Sequence, residues 1–380
     1  MEATLLAWLV LEMTDSPWQV AVVGFFGWAP LLFLGLIGGA LADSLDRKRL
    51  LRAMLAVNLA AALVLAAVLA SGEVQVWHAF LTMLVSGTAY ALGMPSRRSL
   101  ILDIVGRSRV TNAVALDTLG GNASGVIGPL LAGALITLGG VTAGYVAVAV
   151  FYFASLALLW KFDAPTPERS KLNVARIAGN LVLGLKYVSG HRALLATVLV
   201  AFVLNLLVTP YRQMVPVVAR DTLRVSPGLM GILISAHDFG SLVGSFLVAS
   251  AGTIRYHGRL YMAGSMLTLV AVLAFSLSRS YSLSLLIVAV AGLGNAGFNT
   301  MQMSLTMLLP KDEMRGAALG AMSLGIGGGP LGMLITGAVA SVIGTTETIG
   351  LNAVLGIVSL ALIALLVPSL RQRIIADEQL

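Results

Sequence analysis

Apolar residues run through this chain in long blocks, and polar residues are confined to short gaps between them. The blocks lie near 3–14, 17–42, 50–71, 75–95, 112–138, 141–162, 192–217, 228–251, 259–278, 281–309, 316–343 and 347–368. A membrane-crossing helix needs roughly 20 apolar residues, and all but the first block reach that length. The first starts almost at Met1 and is about half long enough. It reads as the second half of a helix, short of roughly 15–25 residues. The pattern predicts an all-α integral membrane protein of twelve helices with a truncated first helix.

The gaps carry a pattern of their own. One set of alternate gaps, with the C-terminal tail, holds all but four of the 24 basic residues; the four are Arg212, Arg220, Arg224 and Arg279. Lys and Arg collect in cytoplasmic loops, so that set is read as cytoplasmic. A wrong helix count would scramble the alternation. The asymmetry therefore supports the count and predicts a multi-pass protein of the cell inner membrane with both termini cytoplasmic. The longest gap is polar, carries Pro165 and Pro167, and falls between six blocks and six. The expected organisation is an N-terminal six-helix bundle over 1–163, a cytoplasmic linker over 164–190, and a C-terminal six-helix bundle with a short tail over 191–380.

Composition strengthens this picture. Apolar residues make up 58% of the chain and charged residues 11%, against about 45–50% and about 25% in soluble domains. So few charges cannot cover a water-facing surface of 380 residues; lipid as outer solvent removes the need. The net charge of +7 is explained by the loop bias rather than by nucleic acid, which is not an expected partner. With no cysteine, thiolate metal sites and thiol nucleophiles are excluded. There is no Gly-x-x-x-x-Gly-Lys-Ser/Thr phosphate loop and no His-Glu-x-x-His helix, and the four histidines are scattered at 78, 191, 237 and 257. No enzyme, metal centre or cofactor is expected.

The two halves echo each other. The fifth block contains GNASGVIGPLLAG (Gly121–Gly133) and the eleventh GIGGGPLG (Gly325–Gly332). Each sets a Gly-Pro pair, Gly128-Pro129 or Gly329-Pro330, after a glycine-rich stretch. Proline removes a helical hydrogen bond and permits bending, while small residues permit close packing; the pairs suit either role. Six-plus-six repeats related by pseudo-two-fold symmetry are a plan of secondary transporters, which bind substrate near the membrane midplane.

After the second block the chain reads GGALADSLDRKRLL, Gly38 to Leu51. Gly39, Asp43, Arg47 and Lys48 match the loop signature of the major facilitator superfamily. Ser44 stands where a basic residue is common, and Asp46 replaces a usual glycine. Trp8–Pro17, Asn112–Leu119 and Pro310–Gly316 also resemble its drug and siderophore efflux branch, the relatives of macrolide and enterobactin exporters. The resemblance extends over the whole chain. The corresponding loop of the second half, TIRYHGRLYM, is degenerate, and the fourth block lacks the arginine that many proton antiporters of the superfamily carry there. The resemblance implies the twelve-helix major-facilitator fold and a conformational latch. In that latch Asp43 faces the start of the eleventh helix, and Arg47 and Lys48 complete a charge network. A carboxylate is favoured at a helix N-terminus by about 0.3–1 kcal/mol. Plain positive-inside anchoring explains the basic cluster but not the Gly39–Asp43 spacing.

The resemblance also implies that the first, fourth, seventh and tenth helices line a central cavity. Each carries a polar stripe at helical spacing: Thr4, Trp8 and Glu12; His78, Thr82 and Ser86; Asn205, Thr209 and Arg212; Asn295, Asn299 and Gln302. The candidate cavity residues are Glu12, His78, Asn205, Arg212, Asn295, Asn299 and Gln302. The competing reading is ordinary interhelical hydrogen bonding. Ionisable residues at membrane depth are costly and mark pathways by default. Asp238, His237 and Asp117 are therefore the proton-coupling candidates, the alternative being a static buried network that includes Arg212. The expected function is proton-coupled efflux of amphipathic small molecules, whether drug, siderophore or metabolite, by a monomer in contact with membrane lipid. The alternatives are an uptake symporter or lipid transporter on the same fold, or a non-transporting membrane sensor or assembly subunit.

Overall fold

A computed structural model of the protein describes residues 1–44, 46–106, 109–161, 183–251 and 256–368. The side chains of residues 35–44, Leu102, Thr111 and Asp312 lie outside the description, as does most of the linker expected over 164–190. Among the described residues there is no strand. The helices are α1 (Glu2–Thr14), α2 (Pro17–Ser44), α3 (Arg47–Ser71), α4 (Val76–Val105), α5 (Val110–Lys161), α6 (Arg192–Leu207), α7 (Pro210–Val217), α8 (Pro227–Ser250), α9 (His257–Leu277), α10 (Tyr281–Leu308), α11 (Arg315–Ile326), α12 (Gly328–Ile343) and α13 (Thr345–Leu366).

Nine segments among the described residues are long and apolar enough to cross a membrane. One of them, Asn112–Lys161, holds two helices end to end. The 52-residue α5 breaks at Gly139 and Gly140, where Gly140 takes φ 70°, a left-handed value that favours glycine. The break falls between the predicted fifth and sixth blocks. α4 is long enough at 30 residues, but its polar positions dilute its apolar character. α1, with 13 residues, reaches only about 20 Å along its axis.

Local chemistry sets the other ends. Asp15, at φ 50°, closes α1, and Pro17 opens α2 as proline does at a first helical position. The Asp46 side chain accepts a hydrogen bond from the Arg49 backbone N–H at 3.1 Å and caps α3, satisfying one of the donors a helix start leaves unpaired. Gly72, at φ 78°, ends α3. Gly327 separates α11 from α12, and Gly344, at φ 102°, separates α12 from α13.

The chain divides into two compact units: Met1–Ile177 with Ser226–Ile232, and Ala178–Val225 with Leu233–Leu380. In the first, α2 packs on α4, α3 packs on α4 and α5, and α1 lies against α2, α4 and α5. Leu5, Leu6, Leu11 and Tyr145 form its most deeply buried part. In the second, α9 packs closely on α10 and on α13, while α6 meets α11, α12 and α13. A Cβ at Gly264 would meet the Gly294 carbonyl at 2.7 Å, and one at Gly294 would meet the Gly264 carbonyl at the same distance. Helices in lipid gain from such backbone contact because no hydrophobic force draws them together.

The outer surface is apolar: Leu138 is 84% exposed and Val342 82%. Thr197, Ser265, Ser284, Thr306 and Thr348 are fully buried. That polarity is the reverse of a water-soluble domain and is what a lipid solvent requires.

Candidate functional site

In the second unit the predicted seventh block is interrupted. The Val208 and Thr209 backbone N–H groups both donate to the Leu204 carbonyl, at 2.9 and 3.0 Å, and Pro210 starts α7. The interruption places Tyr211 and Arg212 beside α8. Arg212 Nη2 donates to both carboxylate oxygens of Asp238 at 2.8 Å. Tyr211 Oη lies 2.6 Å from His237 Nδ1. Adjacent helical residues point about 100° apart. Two neighbours on α7 therefore meet two neighbours on α8, each in its own direction.

Tyr211 and His237 are each 3% exposed; Arg212 and Asp238 are half-buried. A Tyr211 hydroxyl donating to Nδ1 leaves the proton of a neutral imidazole on Nε2. Asn295 Nδ2 sits 3.5 Å from that Nε2, the outer limit of a hydrogen bond, and on chemical grounds the amide oxygen fits that place better than its nitrogen. Tyr211 also meets Phe275 edge-on, ring centroids 6.1 Å apart. The site thus brings together His237, Asp238, Arg212 and Asn295 of the residues expected from sequence, and adds Tyr211. Its signal was its place next to Arg212.

Of the other expected cavity residues, Asn205, Asn299 and Gln302 belong to the second unit, and Glu12 and His78 to the first. Asn205 donates to the Ala201 carbonyl at 2.8 Å and faces Thr209 at 3.5 Å. Asn299 is exposed, and Gln302 is buried with its Oε1 unpaired. Glu12 is exposed in the last turn of α1. His78 lies in the first turn of α4, where its Nδ1 accepts from the Gln75 N–H at 2.9 Å and its ring stacks on Trp77. Gly128 and Pro129 lie inside the continuous first limb of α5. There the Pro129 carbonyl would sit 2.4 Å from a Cβ placed at Gly231. Gly329 and Pro330 lie in the first turn of α12, beside the break at Gly327.

Of the four latch residues, the side chains of Gly39 and Asp43 lie outside the described set, although both fall within α2. Arg47 Nη1 donates to Asp103 Oδ2 at 2.5 Å, tying the start of α3 to the end of α4. Lys48 stands in the same first turn of α3. Asp117 is paired with Arg97, whose Nε donates to Oδ1 at 2.9 Å; the pair is largely exposed. Neither Asp103 nor Arg97 is singled out from sequence; Arg97 enters there only as one of the basic gap residues.

The first unit holds one polar cluster that sequence reading passed over. Glu2 Oε1 accepts from Ser86 at 2.9 Å and Oε2 from Tyr152 at 3.0 Å. Glu2 was hidden by its place at the chain start. Tyr145 and Tyr152, seven residues apart and so on one helical face, were the available signal.

The chain's architecture is shared with solved transporters. It superposes on a bacterial homologue of the human lysosomal transporter Spinster, in an inward-facing and unoccupied conformation, with TM-score 0.74 and 13% identity over 98% of this chain and 95% of that one. A POT family transporter in complex with 5-aminolevulinic acid gives TM-score 0.75 and 13% identity over 97% and 93%. These likenesses show a fold shared with solved transporters. The chain belongs to the transmembrane secretion effector family of the major facilitator superfamily, whose model matches residues 1–378. It is 29% identical to the multidrug efflux pump Tap of Mycolicibacterium fortuitum, over 98% of this chain and 92% of that protein. It is 23% identical to the staphyloferrin A transporter of Staphylococcus aureus, over 92% and 87%, and 25% identical to the enterobactin exporter EntS of Escherichia coli O81, over 80% and 72%. It is a multi-pass membrane transporter and not an enzyme.

Proposed function

We propose that this transporter exports amphipathic small molecules in exchange for protons by alternating access. The observation that carries the coupling is the Arg212–Asp238 pair beside the buried Tyr211–His237 contact. A proton arriving at Asp238 removes the negative charge that holds the guanidinium. It weakens both charge-assisted bonds at once and loosens α7 from α8. A substrate that prefers the loosened state then shifts the equilibrium by its differential affinity. Asp117, already paired with Arg97, is the second candidate for the same role.

In this reading Glu12, His78, Asn205, Arg212, Asn295, Asn299 and Gln302 contribute polar groups to the substrate pathway. Asp43, Arg47 and Lys48 latch one conformation, with Gly39 making room. Gly128-Pro129 and Gly329-Pro330 permit the helices to bend or pack closely. The protein works as a lipid-embedded monomer in the inner membrane with both termini cytoplasmic. The names of two relatives, a multidrug efflux pump and an enterobactin exporter, support the direction, and the staphyloferrin A transporter adds to them in support of a small-molecule substrate.

The test uses right-side-out cells and proteoliposomes loaded with ethidium, tetracycline or a macrolide. Expression should lower accumulation of at least one compound, and dissipating the proton gradient should restore it. Asp238→Asn should abolish gradient-driven extrusion. Accumulation that rises with expression would instead indicate uptake. Absence of any proton-linked flux of the three compounds would overturn the coupled-efflux reading in favour of a sensor.

A further inference from the structure

The cluster around Glu2 is not used by the mechanism above. Three helices of the first unit build it: α1 supplies Glu2, α4 supplies Ser86, and α5 supplies Tyr145 and Tyr152. Among the described residues, the charged or titratable groups facing the carboxylate are these. Ser86 faces it from α4, Tyr152 and Tyr145 from α5, and the Met1 amino group from its own chain end. The described side chains of α2, over 17–34, include no titratable group.

Two features of the geometry stand out. First, the hydroxyls of Ser86 and Tyr152 each occupy one carboxylate oxygen, the arrangement an ionised, acceptor-only carboxylate takes. Second, Tyr145 is completely buried, lies within electrostatic reach of Glu2 and Tyr152, and its hydroxyl has no hydrogen-bond partner. A buried polar group left unpaired costs about 1–3 kcal/mol, so it calls for a reason. A protonated carboxyl supplies one: it gains an O–H donor, and the Tyr145 oxygen is an acceptor in want of one.

The surroundings select the ligand. Leu5 and Leu6 are fully buried on the next turn of α1, and a Cβ at Gly144 would overlap Leu5. A proton displaces nothing between such tightly packed neighbours.

We propose that Glu2, held by Ser86 and Tyr152 with Tyr145 as the waiting acceptor, is a second proton-binding site, located in the first unit and separate from Asp238. The inference rests on the proton-coupled reading above. It adds that each unit carries its own protonatable carboxylate, so that more than one proton enters the cycle. In the ionised state Glu2 accepts from Ser86 and Tyr152; in the protonated state its hydroxyl turns to Tyr145.

The test is infrared difference spectroscopy of the full chain in proteoliposomes during a pH jump, which needs no substrate. The wild type should show a titrating carboxylic-acid carbonyl band that contains a Glu2 component and an Asp238 component among those of its other carboxylates. Glu2→Gln should remove the first and Asp238→Asn the second. Tyr145→Phe should shift the frequency or the midpoint of the Glu2 component alone. Because it deletes a hydroxyl that bonds to nothing, a merely structural role predicts no spectral change. Should Glu2→Gln fail to fold, the Tyr145→Phe spectrum decides by itself. An unchanged band in Glu2→Gln, or an unshifted one in Tyr145→Phe, overturns this inference and leaves the Asp238 mechanism standing. Loss of the band in Glu2→Gln with none lost in Asp238→Asn keeps the Glu2 site and overturns the role given to Asp238.

Discussion

Gly292→Ala is the sharpest test of how α8 and α10 hold the candidate site. A Cβ at Gly292 would lie 1.9 Å from the His237 carbonyl oxygen, 2.8 Å from its carbon and 2.9 Å from the Ser241 nitrogen. All three are backbone atoms of α8, so no side chain can swing away. Ordinary contact begins at 3.4 Å, and the two helices must separate by about 1.5 Å there to admit the methyl. A gap of about 0.5–1 Å already forfeits a quarter to a half of each dispersion contact. Overpacking of this kind costs about 1–3 kcal/mol. The separation also carries His237 away from Asn295, whose amide already stands at the 3.5 Å limit. Gly292→Ala should therefore unfold at a lower temperature in detergent and lose gradient-driven extrusion of whichever compound the wild type exports. Gly120→Ala is the control: nothing lies within 4 Å of its Cβ position in α5. It should be neutral or more stable by about 0.4–1 kcal/mol, because alanine is the better helix former. Wild-type stability and transport in Gly292→Ala would mean that α8 and α10 are not in backbone contact, and the site geometry would have to be redrawn.

Other expectations are simpler. Asn352 Nδ2 donates to Thr336 Oγ1 at 2.9 Å between α12 and α13, with both residues buried. Thr336→Val should cost on the order of 0.6 kcal/mol, the usual size of such bonds in membranes, read as a small fall in thermal stability with transport retained; a null effect would remove that bond from the account. Tyr261 donates to the Thr197 carbonyl at 2.9 Å across α9 and α6, and Tyr261→Phe removes that bond while the carbonyl keeps its helical partner within α6. A loss of about 0.5–1.5 kcal/mol is expected, and stability equal to wild type would refute it. Asp43→Asn should stop transport while leaving the protein folded and inserted, if the latch reading holds; normal transport in vesicles would end that reading. Arg97→Gln breaks a largely exposed ion pair and should change stability by under about 1 kcal/mol, while a larger loss would show that the pair is shielded by its surroundings.

The hydrophobic blocks and their gaps were legible without coordinates, because lipid demands long apolar helices and positive loops whatever the packing. The break at Gly139–Gly140 could be read as well, since a left-handed residue interrupts a helix wherever it falls. Asp238 and His237 stood out for the same reason: ionisable groups are rare at depth. Their partners were a different matter. Sequence spacing fixes which way a side chain points on its own helix, but not which helix stands opposite. The interruption at Val208–Thr209 turned Tyr211 toward His237 and Arg212 toward Asp238. Arg97 found Asp117 and Arg47 found Asp103 by the same kind of tertiary placement. Glu2 shows the limit most clearly. At the chain start it reads as a terminal residue, and only the packing of α1 against α4 and α5 makes it a half-buried carboxylate bonded by two hydroxyls. The sequence by itself determined the solvent, the helices and their ends, since these depend on residues close along the chain. Tertiary structure alone decided which charges meet, because that depends on contacts between residues far apart in sequence.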